Sequence, residues 1–460
     1  MASPNTSFVP FAERMQAEAL PELAVKTFEH YYTQLVEGYT GLIPEETILP
    51  VDKLPDAKNF PRELEDAGQS ALSKTVLLKL NGGLGTSMGL DRAKSLLIVR
   101  NNLTFLDIIA RQALRTEIPL LLMNSFATRD DSVAVLKKYP DLWHNIPVEF
   151  FQHKVPKVRQ DTLGPVAWPA DPDLEWCPPG HGDIYTALVT SGMLDSLLAA
   201  GYEYAFVSNA DNLGAVVDLT ILGFFVENKL PFMMEAAHRT EADKKGGHLA
   251  RLPNGQLILR ELAQCPREDL ESFQDTGRHK YFNTNNLWVN LPSLKAVMAD
   301  RNNILRLPMI RNAKTVDPRD SSTTPVYQLE TAMGSAIAVF EDAGAIRVPR
   351  ARFAPVKTTN DLLAVRSDAY ILTDDFQVMS NPGRTLGQVV INLDPTYYKL
   401  VDDMEARFPH GVPSLIECKH LGIQGDIKFG RNISVKGRVK LANETNLQIR
   451  VEDGTVLKGG

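Results

Sequence analysis

The residues best suited to handle a phosphate lie at Asn81-Gly-Gly-Leu-Gly-Thr-Ser-Met-Gly89, directly after the apolar run Thr75-Val-Leu-Leu-Lys-Leu80. Glycines let the backbone adopt positive φ and bring successive N–H groups close to an anion. The loop is not a kinase-type phosphate loop, which ends in Gly-Lys-Ser/Thr, a triplet missing here. Nor is it the dinucleotide fingerprint, because Met88 stands where the third glycine belongs. Between Lys74 and Lys94 four cations (Lys74, Lys79, Arg92, Lys94) face one anion (Asp91), a local charge of +3. A lysine shortly after such a loop, Lys94, can lie over a triphosphate as a point charge. A glycine-rich turn with solvated lysines is the structural alternative.

Three further stretches carry chemistry. Tyr204-Ala-Phe-Val-Ser208 ends in Asn209-Ala-Asp-Asn212, which puts Asp211 at the C-terminal edge of a strand, where a Mg2+ shared with substrate phosphates would sit. An Asp with two Asn also suits a plain turn. Cys177-Pro-Pro-Gly-His-Gly-Asp183 fixes a stiff backbone, with His181 as a ligand contact or a turn residue and Asp183 as the expected cap of the following helix. In Phe282-Asn-Thr-Asn-Asn-Leu-Trp288 three amides crowd one strand, a poor strand composition unless the amides face a polar cavity, so Asn285 and Asn286 are candidates for sugar contacts.

The elements that position these residues read as α/β. Strands are expected at Thr75–Leu80, Pro119–Met123, Glu149–Gln152, Tyr204–Ser208, Phe232–Ala236 and Tyr281–Val289, with helices at Phe105–Leu114, Ser132–Tyr139, Ile184–Ala200 and Leu219–Asn228. In a mostly parallel sheet ligands gather beyond the C-terminal strand ends, which selects the loops after Leu80 and Ser208. Phe8 to Val36 reads as two helices broken at Pro21, followed by a proline-rich connection. Near the C-terminus Phe429, Val435, Leu441 and Leu447 recur every six residues, as do Ile427, Ile433 and Val439, the period of a parallel β-helix. An antiparallel meander is the alternative.

Composition bounds the function. The chain has 460 residues, 49 Lys plus Arg and 56 Asp plus Glu, for a net charge of −7. That disfavours a globally basic surface and hence bulk nucleic-acid binding. About three structural units are expected at this length. Cys177, Cys265 and Cys418 show no paired or zinc-ligand spacing, and no signal-peptide stretch or run of 18 apolar residues occurs, so a cytoplasmic protein without membrane association is expected.

Leu80–Gly89 followed by Lys94-Ser, Pro179–Asp183, Ser208–Asn212, Asn283–Trp288, Gln328-Leu-Glu-Thr-Ala332 and Phe353-Ala-Pro-Val-Lys-Thr358 resemble the eukaryotic UDP-glucose pyrophosphorylases nearly end to end. The resemblance implies a Rossmann-like nucleotidyltransferase domain with a mixed, mostly parallel sheet over 61–385. It adds a helical N-terminal region over 1–60 and a left-handed parallel β-helix over 386–460. It implies that uridine and triphosphate lie against Leu80, Asn81, Gly82, Gly83, Gln152, Gly180 and Asp211. His181, Asn209 and Asp211 would then meet the sugar phosphate, and Glu330 would lie near the hexose, beside the sugar-contact candidates Asn285 and Asn286; Asp211 would also hold Mg2+, and Lys94 and Lys357 would lie over the phosphates. The implied reaction joins UTP and glucose 1-phosphate into UDP-glucose and pyrophosphate. Ala210, where relatives carry Gly or Ser, is a small-for-small departure. Enzymes for other UDP-sugars, a non-catalytic nucleotide-sugar sensor and a solenoid scaffold are the alternatives, and the C-terminal domain is a candidate for self-association.

Overall fold

The computed structural model describes residues 7–142 and 146–459. Its centre is a ten-stranded sheet. Seven strands matter for the site: β1 (Thr75–Asn81), β2 (Leu120–Asn124), β3 (Glu149–Phe151), β4 (Tyr204–Asn209), β5 (Phe232–His238), β6 (Tyr281–Asn290) and β7 (Gly344–Arg347). β4, β1, β2 and β3 run parallel in that spatial order. β6 is antiparallel to both β4 and β5, and β5 pairs in parallel with β7, so the sheet is mixed. Alternation along the strands feeds two cores. Leu77, Leu122, Phe206 and Trp288 face one side, and Val76, Leu78, Leu121, Val207 and Leu287 face the other. Near-continuous apolar runs are what strands covered on both faces require.

All six strands read from the sequence form, with ends shifted by one or two residues. The single helix expected over Ile184–Ala200 is instead two, Ile184–Thr190 and Met193–Ala199, because Gly192 takes φ +71° between them. The helix expected from Ser132 starts earlier and ends sooner, at Arg129–Leu136. Phe105–Thr116 opens on a capping box in which Thr104 and Asp107 exchange side-chain-to-backbone bonds.

The N-terminal helices Val9–Ala17 and Glu22–Val36 break at Pro21 as read. Phe11, Met15, Phe28 and Tyr32 pack on Val155, Cys177 and Leu329, so these helices form a wall behind the body. The proline-rich connection does more than span a gap: Leu49–Pro50 adds an edge strand antiparallel to His248–Arg251.

The C-terminal strands Val390–Leu393, Cys418–Gln424, Ser434–Ala442 and Val456–Lys458 stack in parallel, which excludes the meander. Leu421 pairs with Val439 and Ile423 with Leu441, each 18 residues apart, three six-residue faces to a coil. In the last coil Ile427 pairs with Ile449, 22 residues on, and the four extra residues carry Leu447 out to 77% exposure, against the expected period. Gly425 turns a corner where a Cβ would lie 2.1 Å from the Asn443 carbonyl oxygen. Leu421, Phe429 and Val435 join the same apolar cluster as Leu77 and Phe206. Among the described residues no helix is long and apolar enough to cross a membrane.

Candidate active site

A cleft of about 690 Å³ opens beyond the C-terminal ends of β1, β2, β3 and β4. It gathers ten of the candidates: Leu80, Asn81, Gly82 and Gly83 after β1, Gln152 after β3, Asn209 and Asp211 at the end of β4, with Lys94, Gly180 and His181 from the loops between. Parallel pairing is what brings sequence-distant loops to one edge.

Each loop is fixed from behind. The Asn81 side chain points under the glycine loop and donates to Asn124 Oδ1 and Ser132 Oγ, both at 2.8 Å, leaving its backbone to line the cleft. A Cβ on Gly82 would lie 2.7 Å from Gln152 Oε1, so glycine there is what lets the Gln152 amide reach the loop. Gln152 Nε2 in turn donates to the Gly180 carbonyl at 3.3 Å. Gly180 has φ +80° and comes so close to the strand Pro325–Thr331 that a Cβ would meet the Thr331 carbonyl oxygen at 2.4 Å.

The charged floor is Lys94 and Asp211. Lys94 Nζ lies 2.7 Å from Asp211 Oδ2, with side chains 16% and 19% exposed. The Lys94 N–H donates to the Gly83 carbonyl at 3.0 Å, which locks the lysine to the glycine loop. Asp211 Oδ1 is buried without a hydrogen-bond partner, as is Ser95 Oγ on the same wall. A buried carboxylate oxygen left bare is costly and invites a ligand. Among the described residues no cluster of three or more His, Cys, Asp or Glu could hold a metal. The unpartnered Asp211 Oδ1 is a hard oxygen donor and fits a divalent cation that takes a single carboxylate from the protein.

His181 is neutral. Its Nδ1 accepts from the Met333 N–H at 3.0 Å, and burial pushes its pKa down to about 4. With Nδ1 an acceptor, the ring proton sits on Nε2, which makes the imidazole a hydrogen-bond donor at the cleft. Asp183 does not cap the following helix as expected. Its carboxylate accepts instead from the His153 N–H at 2.7 Å and holds the His153 ring through Nδ1 at 2.9 Å. His153 lines the cleft and was not singled out from the sequence, although its place directly after Gln152 marks it.

Four candidates lie outside the cleft lining. Asn286 is fully buried, with Nδ2 donating to Glu235 Oε2 at 3.0 Å and to the Arg352 carbonyl at 3.1 Å, so it is not placed to touch a sugar. Asn285 occupies the bulge where β6 slips against β5, at φ +59°, with its Oδ1 accepting from Asn283 Nδ2 at 2.8 Å. Glu330 stands beside Gly180 on its own strand, and burial raises its pKa. Lys357 is exposed, directly after Val356, whose N–H donates to the Asp211 carbonyl at 3.2 Å.

Lys79, one of the four cations counted around the glycine loop, does not line the cleft. It is wholly buried in β1, donates from Nζ to Ser208 Oγ at 2.7 Å and to the Ala215 carbonyl at 2.9 Å, and burial lowers its pKa to about 7.

The chain is similar to known proteins over most of its length. The chain is 42% identical over 423 residues to a UTP–glucose-1-phosphate uridylyltransferase of Solanum tuberosum, covering 90% of this chain and 85% of the relative. It is 42% identical over 421 residues to a probable UTP–glucose-1-phosphate uridylyltransferase of Schizosaccharomyces pombe, covering 90% and 80%. A mutant UDP-glucose pyrophosphorylase from Leishmania major, solved in complex with UDP-glucose, superposes with a TM-score of 0.92 at 45% identity, covering 100% of this chain and 99% of the other. The model of one family, UTP–glucose-1-phosphate uridylyltransferase, matches residues 25–436. With its glycine loop, Lys94 and Asp211 at one sheet edge and this match over most of its length, the chain belongs to the UTP–glucose-1-phosphate uridylyltransferase family.

Proposed function

We propose that this chain catalyses reversible uridylyl transfer, in which UTP and α-D-glucose 1-phosphate give UDP-glucose and pyrophosphate. A sugar-phosphate oxygen attacks the α-phosphorus of UTP in line, the bond from that phosphorus to the bridging oxygen breaks, and pyrophosphate leaves with the electron pair. The nucleophile is already an anion at neutral pH, so no covalent enzyme intermediate and no general base is required. What remains is to align two polyanions and to neutralise the charge that builds on the transferring group. The observation that carries this reading is Lys94 on Asp211 at 2.7 Å, tied by its own N–H to the glycine loop.

In this reading the backbone of Leu80, Asn81, Gly82 and Gly83 cradles the nucleotide, and Gln152 with the Gly180 carbonyl meets the base. His181 donates from Nε2 to the sugar phosphate beside Asn209. Lys94 neutralises the phosphates, and Lys357 reaches in from the cleft's edge. Asn285 and Glu330 approach the hexose only if the substrate extends past Gly180. Asp211 Oδ1, which has no partner, is the atom that would hold Mg2+. When bound, Mg2+ would offset the negative charge of the phosphates. We place the protein in the cytoplasm, in keeping with its three unpaired cysteines, and divide it at about residues 60 and 385.

The test is pyrophosphorolysis. UDP-glucose with pyrophosphate and Mg2+ should release UTP and glucose 1-phosphate, whereas UDP-galactose and UDP-N-acetylglucosamine should react far more slowly. Equal rates on all three would replace the proposal with a broad UDP-sugar enzyme, and no release from any would leave a sensor.

A further inference from the structure

Beneath the cleft lies a second polar assembly that the transfer chemistry does not use. Glu235, fully buried in β5, accepts from Arg352 Nε at 2.8 Å and Nη2 at 2.6 Å, from Trp288 Nε1 at 3.0 Å and from Asn286 Nδ2 at 3.0 Å. Arg352 Nη2 also donates to the Val216 carbonyl at 2.9 Å. A buried ion pair with its lone pairs and protons this well matched holds its members in one arrangement.

The consequence appears in the backbone of Arg352. Its carbonyl accepts from Asn212 Nδ2 at 3.0 Å. That same Nδ2 also donates to Asn286 Oδ1 at 3.2 Å, while Asn212 Oδ1 accepts from the Ala354 N–H at 3.0 Å and the Gly214 N–H at 3.2 Å. The next rung is the Val356 N–H on the Asp211 carbonyl at 3.2 Å. Residues 352–356 are thus laced along Asp211 and Asn212, and Lys357 follows the last rung.

We infer that Asn212 is a positioning residue for the reaction, a clasp that fixes Lys357 relative to Asp211 by binding the segment between them with both ends of one amide. The inference rests on the function proposed above. An amide is the required group because it donates twice and accepts twice, and all four capacities are used. Aspartate keeps only the acceptor side, and alanine keeps neither. Buried at 1% exposure, Asn212 has no route to substrate, so its effect must pass through its neighbours.

Steady-state kinetics of UDP-glucose formation test this with Asn212→Ala, Asn212→Asp, Lys357→Ala and the Asn212→Ala/Lys357→Ala double variant. Misplacing a charge by about 1 Å costs on the order of 100-fold, so Asn212→Ala should lower kcat by about that factor while KM for UTP changes less than about threefold. Asn212→Asp should fall between. In the Lys357→Ala background the alanine at 212 should cost no more than about threefold, because the two act as a unit. Trp288→Phe, which removes one bond to Glu235 but none to Asn212, should keep kcat. Unchanged kcat in Asn212→Ala, or a full second loss in the double variant, overturns the clasp. If Asn212→Ala does not fold, Asn212→Asp and its double with Lys357→Ala carry the same comparison. Lys357→Ala with wild-type turnover would instead defeat the role proposed for that lysine.

Discussion

Two acid–base pairs lie close together in the fold, Lys94 with Asp211 on the cleft floor and Arg352 with Glu235 beneath it. Their charges are alike and their surroundings opposite. Glu235 is sealed from solvent and accepts four bonds. Asp211 is part-exposed, meets its lysine through one oxygen and leaves the other bare. A pair whose capacity is spent can only hold structure. One with capacity left over is available to an incoming ligand, at some cost to stability while it waits.

The widest break in this comparison should come from Glu235→Ala. It strands a buried guanidinium and frees Trp288 and Asn286, so it should destabilise the fold by about 3–5 kcal/mol, read from the urea midpoint. Glu235→Ala with near wild-type stability would mean that the lower pair is not the keystone its bonding suggests. Next comes Lys94→Ala, which should leave stability almost untouched yet raise the transfer barrier by about 3 kcal/mol, seen as a loss in kcat. If the two variants exchanged their effects, structural and chemical roles would have to be exchanged with them.

His181 sharpens the contrast, since it lines the cleft with Nδ1 bonded to the Met333 N–H and Nε2 kept as a donor for substrate. Its folded pKa is lowered to about 4 from 6.5, so the unfolded chain takes up a proton that the folded chain refuses. Its contribution is therefore whole above about pH 6.5 and declines as pH falls toward 4, by up to about 3 kcal/mol. Urea midpoints at pH 7 and pH 4.5 should show a shallower acid loss in His181→Gln than in wild type. An identical loss in both would assign the acid sensitivity to other groups. The same neutrality predicts no His181 limb in the kcat profile between pH 6 and 8.

How much of this was legible in the sequence depends on the range of the interactions. The glycine loop, the strand ends and the six-residue period are local patterns, and they appear where the residues put them. Gly192 splits a helix that apolar spacing alone would continue, and four inserted residues push Leu447 out of a period that it obeys on paper. Asn286 was misread because an amide-rich strand suits a polar cavity and a buried network equally. What separates the two is Arg352, which meets Glu235 from 117 residues away. A glutamate in the middle of Met233-Met-Glu-Ala-Ala237 was the available sign that a partner had to exist. The clasp of Asn212 on Ala354 spans a similar distance, 142 residues, and no local pattern announces it.

The smallest effect belongs to Asp211→Asn, and it asks most of the comparison. The side chain keeps its shape and one oxygen that can still accept from Lys94 Nζ. What it loses is the charge and the second carboxylate oxygen, the buried atom without a partner. An unpartnered amide Nδ2 then replaces an unpartnered oxygen, so that cost stays, and the lost part-exposed ion pair should lower the urea midpoint by no more than about 1 kcal/mol. Turnover should respond quite differently: UDP-glucose formation should fall sharply and lose its dependence on Mg2+ concentration, because an amide cannot replace a carboxylate as ligand to a hard cation. A large loss of stability would class Asp211 with Glu235 as a structural anion. An unchanged Mg2+ response would move the cation to phosphate and water alone, and the bare oxygen of Asp211 would then need another occupant.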